Sequence, residues 1–289
     1  MLQNNLNTKL FIDSGSVEDT RSIIESMGFI DGQTTNPSLI AKSSGAKARL
    51  DAGEKFTPEE VNEFYKNTVK DIREVMPEGS ISIEVYADAD TKAEQMIEQG
   101  TEMNTWIPGA HIKLPTTAEG LKAARNFVDA GINVNMTLVF SQQQAAAVYV
   151  ATTGAKKGQV FLSPFIGRLD DIGQDGMSLI ENILKMYREQ GDGHVQVLIA
   201  SVRSMEHLKA AVALKSDIIT VPLKQLLAWK DAGMEVPELF IYAPDGLSPI
   251  PFEELDFTQG VEAFDIGHDL TDKGLKKFAE DWNSIISTN

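Results

Sequence analysis

Short apolar segments alternate with longer amphipathic segments along the whole chain. The apolar segments are bounded by polar or turn-forming residues, which is the pattern expected of buried strands. This pattern predicts eight strands, at Leu10–Ser14, Gln33–Asn36, Ser80–Ala87, His111–Pro115, Asn133–Phe140, Gln159–Arg168, Val195–Ser201 and Asp217–Pro222.

Amphipathic segments between these strands carry apolar residues at helical spacing. The clearest one follows a capping box, Thr57 to Glu60, with Pro58 in the first turn. Its apolar face is Val61, Phe64, Tyr65, Thr68, Ile72, Val75 and Met76. Further helices are predicted at Val17–Met27, Thr91–Gly100, Ala118–Asp129, Gln142–Thr152, Met177–Arg188 and Ser204–Leu214. A final helix over Leu275–Ile286 has Thr271 as its expected cap.

Eight strands that alternate with helices predict a parallel sheet. At 289 residues the commonest closed form of such a sheet is a single (β/α)8 TIM barrel, and a doubly wound open sheet is the alternative. We therefore expect one α/β barrel domain over residues 1–289, with an additional C-terminal helix. Residues 229–267 are rich in Pro, Gly and acidic residues and predict an excursion before that helix.

Composition narrows the function classes. The chain carries a formal charge of −16, which disfavours nucleic acid and anionic membranes as partners. It has no cysteine, and its four histidines show no ligand spacing, so neither a metal site nor a cofactor is indicated. The polar start, Met1–Lys9, and the lack of a long apolar run predict a cytoplasmic protein. A homo-oligomer stays open.

Polar side chains recur on the lumen side of the predicted strands. In strand four, Ile112 and Leu114 would face the helices, so His111 and Lys113 would face the lumen. The same alternation places Asp13 and Glu84 inward. Asn135, Thr137, Ser163 and Phe165 follow on strands five and six, and Asn36 and Ser201 end strands two and seven.

Buried polar groups are costly unless they act together, and barrel active sites lie at this end of the strands. A polar layer that satisfies itself and binds nothing is the alternative for single residues. It is a poor explanation for Asp13, Glu84 and Lys113 together.

At these residues the chain resembles the transaldolase family. The matching segments, in family order, are Leu10–Ser14, Thr34–Leu39, Ile112–Thr117, Asn135–Ser141, Ser163–Asp171 and Ala200–Arg203, and the closing Leu270–Leu275 and Trp282 look similar too. The resemblance implies a barrel whose strand-four lysine forms a Schiff base. It also implies transfer of a three-carbon ketol unit between sugar phosphates.

Chemistry argued from the residues agrees with that resemblance. Desolvation favours the neutral amine that Lys113 needs in order to attack a ketone, although an interior ion pair with Glu84 or Asp13 could form as well. The resemblance makes Asp13 the acid and base of carbon–carbon cleavage, and pairs Glu84 with Thr137 in proton transfers through a water. Asn36, Asn135 and Ser163 would then bind hydroxyls of the ketol fragment.

A phosphate group needs a fork of donors, which arginine supplies. Arg168, Ser201 and Arg203 lie at or just past the ends of strands six and seven, where barrels commonly bind phosphate. The alternative for Arg168 is a rim salt bridge with Asp170 or Asp171. Gly173 and Gly176 predict a mobile loop after strand six.

Two competing functions remain at this point. A fructose-6-phosphate aldolase of the same superfamily releases dihydroxyacetone to water, and that subgroup usually has glutamine and tyrosine where this chain has Glu84 and Phe165. A catalytically silent barrel that binds sugar phosphate is the other. The added length around Ser44–Phe56 and residues 229–267 departs from compact family members.

Overall fold

The computed structural model describes residues 6–235 and 240–287. Eight parallel strands pair in chain order, and the last pairs with the first to close a barrel. They are β1 Lys9–Asp13, β2 Gly32–Thr34, β3 Ser80–Glu84, β4 His111–Pro115, β5 Asn133–Val139, β6 Val160–Pro164, β7 Val195–Ile199 and β8 Ile218–Val221. The predicted (β/α)8 barrel is confirmed, and the open-sheet alternative is wrong.

Helices surround this barrel. They are α1 Val17–Met27, α2 Pro37–Ala41, α3 Ser44–Asp51, α4 Pro58–Val75, α5 Ala93–Met103, α6 Ala118–Asp129, α7 Gln142–Ala151, α8 Ile166–Asp170, α9 Gly176–Gln190, α10 Met205–Ala213, α11 Leu223–Asp231 and α12 Asp269–Ser284. The capping box predicted for α4 is present, with Thr57 as its N-cap. Among the helices described, none combines the length and apolar character that crossing a membrane requires.

Side chains alternate along each strand between the helix layer and the barrel interior. Ile112 packs outward, since a Cβ added at Gly100 of α5 would lie 2.8 Å from its Cγ2 atom. Inside, the ring of His111 stacks on Phe161 with 3.9 Å between centroids, and Phe161 meets Phe11 edge-on at 6.0 Å. Aromatic side chains from three strands therefore occupy the inside of the barrel, as a packed barrel core requires.

Strand six ends earlier than the sequence predicts. It stops at Pro164, and Ile166–Asp170 form the short helix α8, so Phe165 and Arg168 lie beyond the strand. Short apolar runs do not distinguish a strand from a helical turn by periodicity. Gly167 fixes the position of α8, because a Cβ there would meet the carbonyl oxygen of Ser201 at 2.4 Å.

Two helix caps also correct the predicted boundaries. Asn36 does not end β2. It is the N-cap of α2, and its side chain accepts a hydrogen bond from Leu39 N at 2.8 Å. His268, rather than Thr271, caps α12. The hydroxyl of Thr271 is buried and donates to the carbonyl oxygen of Leu138 at 2.9 Å.

The excursion predicted at residues 229–267 is irregular for most of its described length. It holds the end of α11, the two-residue strand Ser248–Pro249 and a 3-10 helix, Val261–Ala263, while 236–239 lie outside the described residues. Side-chain amides of the outer helices hold it: Gln142 donates to Pro251 O and Asn182 to Ile250 O, both at 2.8 Å. The predicted polar start also falls partly outside, at residues 1–5.

The expected loop after β6 is largely structured. Helix α8 occupies its first part, and Gln174–Asp175 pair in parallel with Ser248–Pro249. Gly173 adopts φ +80° at the turn, and Gly176 starts α9. The mobility expected of this loop stays a prediction.

A steric contact in α6 reverses an ordinary rule of helix propensity. Alanine normally stabilises a helix relative to glycine by about 0.5–1 kcal/mol. A Cβ at Gly120, however, would lie 1.9 Å from the carbonyl oxygen of Pro115 at the end of β4. We expect Gly120→Ala to lower the free energy of unfolding by about 1–3 kcal/mol, measured by denaturant titration. The control is Gly45→Ala in α3, where the nearest atom is a Phe64 ring carbon at 3.1 Å and a much smaller change is expected. Equal effects of the two variants would contradict the assignment.

Candidate active site

A cavity of about 300 Å³ opens at the C-terminal ends of the strands. It lies between the barrel, α2 and the C-terminal helix α12. Its lining residues are Asp13, Thr34, Asn36, Ser38, Leu39, Lys42, Lys113, Ser163, Phe165, Arg168, Ala200, Ser201, Arg203, Thr220, Lys277, Phe278 and Asp281. Eight of the eleven residues predicted for the site are in this set: Asp13, Asn36, Lys113, Ser163, Phe165, Arg168, Ser201 and Arg203.

Lys113 forms a buried ion pair with Glu84. The register of β3 and β4 sets the two residues side by side, and Lys113 Nζ lies 2.8 Å from Glu84 Oε2. Their side chains are only 3% and 4% exposed. Burial raises the pKa of Glu84, while the ammonium of Lys113 opposes that rise. The interior ion pair that the sequence allowed is therefore present.

Two further groups approach the Lys113 amine. The carbonyl oxygen of Thr35 lies 3.4 Å from Nζ, and the ring centroid of Phe165 lies 5.9 Å away. The amine thus has a carboxylate, a carbonyl and an aromatic ring around it and still borders the cavity. A substrate carbonyl that enters the cavity can reach it from the open side.

Asp13 is a second carboxyl group near Lys113, and it lines the cavity. Thr34 Oγ1 donates to Asp13 Oδ1 at 2.8 Å, and Thr220 Oγ1 lies 2.6 Å from the same Thr34 hydroxyl. Burial raises the pKa of Asp13, and the charge of Lys113 and the Thr34 hydrogen bond only partly oppose this. A carboxyl group with a raised pKa is suited to accept and return a proton near neutral pH.

Two predicted residues, Asn135 and Ser163, form a hydrogen-bonded row with Ser82 of β3. Ser163 Oγ donates to Asn135 Oδ1 at 2.7 Å, and Asn135 Nδ2 donates to Ser82 Oγ at 3.0 Å. Asn135 is buried beneath the cavity and reaches it through Ser163. Thr137 is also fully buried, and its hydroxyl has no hydrogen-bond partner among the described residues. The pairing of Thr137 with Glu84 stays a prediction.

The Arg168 side chain makes no ion pair or hydrogen bond with the described residues, so the rim salt bridge considered from sequence is absent there. Its guanidinium carbon lies 5.5 Å from the ring centroid of Phe165 and 5.6 Å from that of Phe278. Asp170 pairs instead with His207 at 2.9 Å, and Asp171 pairs with Arg203. Burial lowers the pKa of Arg168, with Arg203 as the next cause.

Arg203 is the arginine that is already paired. Its Nη1 and Nη2 atoms both donate to the carboxylate of Asp171, the second at 2.7 Å. Ser201 lies between the two arginines in sequence and lines the cavity with φ +59°, a left-handed conformation that costs a serine about 1–3 kcal/mol. Arg168, Ser201 and Arg203 thus line the same part of the cavity. The phosphate contact predicted for them stays a prediction.

A cluster around Asp281 in the cavity lining was not predicted. Asp281 of α12 accepts hydrogen bonds from Ser38 at 2.5 Å, Lys42 at 2.9 Å and Lys277 at 2.7 Å. Burial would raise the pKa of Asp281, but these donors together lower it to about 2. Helical spacing places Lys277, Phe278 and Asp281 on one face of α12. No pattern in the sequence indicates that this face covers the barrel mouth.

Histidines lie outside the cavity lining. His111 is stacked in the lumen, and burial lowers its pKa to about 4. His207 Nε2 lies 2.9 Å from Asp170 and 2.9 Å from the hydroxyl of Tyr242. Within residues 6–235 and 240–287, no group of three or more His, Asp or Glu side chains is arranged to hold a metal ion.

Comparisons with known proteins agree with this geometry. The pattern of the transaldolase/fructose-6-phosphate aldolase family matches residues 10–289. A probable transaldolase of Prosthecochloris aestuarii is 40% identical over 231 residues, which cover 78% of this chain and 94% of that protein. One from Dehalococcoides mccartyi is 32% identical over 277 residues, covering 96% and 99%. One from Alkaliphilus metalliredigens is 33% identical over 278 residues, covering 96% and 99%.

The pKa of Asp13 is raised and that of Asp281 is lowered, so neutralising the two residues should change the melting temperature in opposite directions. The raised pKa of Asp13 means that its ionised form is disfavoured in the folded state. Its contribution to stability is therefore present at low pH and lost as pH rises through the folded-state pKa. We expect Asp13→Asn to raise the melting temperature at pH 7 and to lose that advantage below about pH 4.

Asp281 is the matched control. Its pKa is lowered to about 2, so its stabilisation is present above the unfolded-state value and lost as pH falls toward 2. Asp281→Asn should lower the melting temperature at pH 7. Thermal unfolding of both variants from pH 3 to pH 8 measures the direction of each change in melting temperature. A lower melting temperature for Asp13→Asn at pH 7 would contradict the raised pKa.

Proposed function

The chain belongs to the transaldolase/fructose-6-phosphate aldolase family, and on that premise we propose that it is a transaldolase that works through a Schiff base on Lys113. It would transfer a dihydroxyacetone unit from a ketose phosphate, such as sedoheptulose 7-phosphate or fructose 6-phosphate, to an aldose phosphate. This reaction belongs to the pentose phosphate pathway. The observation that carries the proposal is a buried lysine beside two carboxyl groups with raised pKa values.

Imine formation needs a neutral amine at Lys113. Glu84 Oε2, at 2.8 Å, is the acceptor for the ammonium proton, and burial makes a neutral carboxylic acid less costly there than at the surface. The amine then adds to the ketose carbonyl, and the resulting carbinolamine loses water to give the iminium. Glu84 and the unpartnered hydroxyl of Thr137 would bind the water that leaves.

Carbon–carbon cleavage follows from the iminium. Asp13 takes the proton of the hydroxyl on the carbon that will leave, and that carbon departs as an aldehyde. The bonding electron pair passes into the enamine on Lys113. When the acceptor aldehyde binds, the enamine carbon attacks it and Asp13 returns the proton to the new hydroxyl. Water then hydrolyses the iminium and frees the amine.

Binding groups surround this path. Asn36 and Ser163, with Asn135 behind Ser163, would hold the hydroxyls of the ketol unit. Arg168 would bind the phosphate, because its guanidinium has no partner of its own among the described residues. Ser201 and Arg203 complete the same side of the cavity. Such a fork of donors suits a phosphate dianion.

Transfer is favoured over release by the residues next to the amine. Glu84 and Phe165 are the types that the transaldolase subgroup carries, whereas the aldolase subgroup usually carries glutamine and tyrosine. The Phe165 ring presents carbon atoms to the Lys113 amine, which helps to keep water from the enamine. An enamine protected in this way persists until an acceptor aldehyde arrives.

Borohydride trapping tests the Schiff base. Fructose 6-phosphate followed by borohydride should leave a reduced adduct on Lys113, either the whole ketose or the three-carbon unit that remains after cleavage, and should inactivate the enzyme. Peptide mass spectrometry locates the adduct and gives its mass. Lys113→Met should abolish both labelling and turnover. Lys42→Met is the matched control, since Lys42 borders the same cavity but its side chain is 63% exposed. The Lys42→Met variant should still be labelled at Lys113. Sugar-phosphate binding without any labelling would identify a catalytically silent barrel instead.

Product analysis tests transfer against release. With fructose 6-phosphate and erythrose 4-phosphate we expect sedoheptulose 7-phosphate, and with fructose 6-phosphate alone little free dihydroxyacetone. Phe165→Tyr would place a hydroxyl that can bind water near the amine, so release of dihydroxyacetone should rise by about tenfold, or about 1.4 kcal/mol in the barrier. Phe278→Tyr, across Arg168 from Phe165, should not have this effect. Substantial release by the unaltered enzyme would favour the aldolase.

A further inference from the structure

Tyr65 is a helix residue whose hydroxyl reaches the strand ends beside Lys113. It lies on α4, outside the barrel, and is 1% exposed. Its ring packs on Trp106 and Trp282, with centroids 5.6 and 5.9 Å away. Trp282 belongs to α12, the helix that covers the cavity. The ring alone would be an ordinary core contact, but the hydroxyl makes specific bonds inward.

The donor and acceptor roles of the Tyr65 hydroxyl can be assigned from its neighbours. The backbone N–H of Glu84 donates to Tyr65 Oη at 2.9 Å. Thr35 Oγ1 donates to the carbonyl oxygen of Ser82 at 2.7 Å, which uses its only hydrogen. The contact of 2.5 Å between Tyr65 Oη and Thr35 Oγ1 therefore has Tyr65 as the donor.

These hydrogen bonds connect the two polar residues that contact the Lys113 amine. Thr35 presents its carbonyl oxygen to Nζ at 3.4 Å, and Glu84 presents its carboxylate at 2.8 Å. Their backbones leave β2 and β3, and the Tyr65 hydroxyl joins them directly. A shift of either backbone would move a partner of the amine.

We propose that Tyr65 is a positioning residue for the Schiff-base lysine, acting through Thr35 and Glu84. The inference rests on the proposed function, because it concerns the rate at which Lys113 forms its imine. Burial raises the pKa of Tyr65 well above its usual range, so the hydroxyl keeps its hydrogen at any pH at which the enzyme works. Nothing in the role requires Tyr65 to touch substrate.

Tyr65→Phe removes the hydroxyl and keeps the ring. We expect kcat per active site, and the rate of borohydride trapping with fructose 6-phosphate, to fall about tenfold, because small misplacements of reacting groups are costly. KM should stay within about twofold, since the phosphate side of the cavity is untouched. The control is Tyr187→Phe, which removes a buried hydroxyl that donates to Ala145 O at 2.8 Å, away from the cavity. That variant should leave both rates unchanged.

Variants of Thr35 provide a second test of the proposal. Thr35→Val should reproduce the defect of Tyr65→Phe, Thr35→Ser should restore near-normal rates, and the double variant Tyr65→Phe with Thr35→Val should be little worse than either single one. If Tyr65→Phe fails to fold, this pair alone decides the matter. Equal trapping rates in Thr35→Val and Thr35→Ser would then overturn the proposal.

Failure of the inference and failure of the proposed function give different results. If the unaltered enzyme traps fructose 6-phosphate at Lys113, and Tyr65→Phe does so at the same rate, only the positioning role is wrong. If the unaltered enzyme traps nothing, the proposed function itself is wrong. A drop in melting temperature with unchanged rates per active site would leave Tyr65 a structural residue and would overturn the proposal.

Discussion

A lysine and a glutamate held 2.8 Å apart in the barrel interior are the constraint on which the rest of the site depends. Neither charge is easily buried alone, and removing one partner of such a pair typically costs about 3–5 kcal/mol. The pair is stable enough to persist because Lys113 and Glu84 lie on adjacent strands in fixed register. In the proposed mechanism the same burial has a second consequence: it raises the pKa of Glu84, and a raised pKa would ease proton transfer from the amine.

The outer layer of the barrel contributes to this arrangement as much as the strands do. Strand register alone sets Cα positions, but the Thr35 carbonyl and the Glu84 backbone are held by Tyr65 from α4. Helix α12 packs Trp282 against the same Tyr65 ring and covers the cavity with Phe278. The contacts of the outer helices are therefore connected, through Tyr65, to the residues that surround the Lys113 amine.

Sequence reasoning succeeded where a simple period governed the outcome. Alternation along β4 placed Lys113 inward, and the same argument located Asp13. It failed where the chain leaves a strand, since Arg168 lies on a helical turn that no apolar period distinguishes. It also could not tell which arginine is free, because Arg203 and Asp171, the pair that leaves Arg168 without an acid, are 32 positions apart in the chain. Tyr65 was hidden for a related reason: on the apolar face of α4 its pattern is that of a core residue.

Local charge explains how a chain of net charge −16 could accept the phosphorylated sugars of the proposed function. The cavity lining contains five cations and two acids, namely Lys42, Lys113, Arg168, Arg203 and Lys277 against Asp13 and Asp281. The acids hold specific partners, and Asp281 accepts hydrogen bonds from Lys42 and Lys277. The excess positive charge therefore rests on Arg168, which is partly desolvated next to two aromatic rings. A phosphate there would gain more from the guanidinium than in bulk water, because Coulomb attraction strengthens as the effective dielectric constant falls. The general repulsion of anions by the acidic surface is screened within about 10 Å at ordinary ionic strength. Inside the cavity the electrostatic potential is therefore set by the nearby guanidinium and is positive.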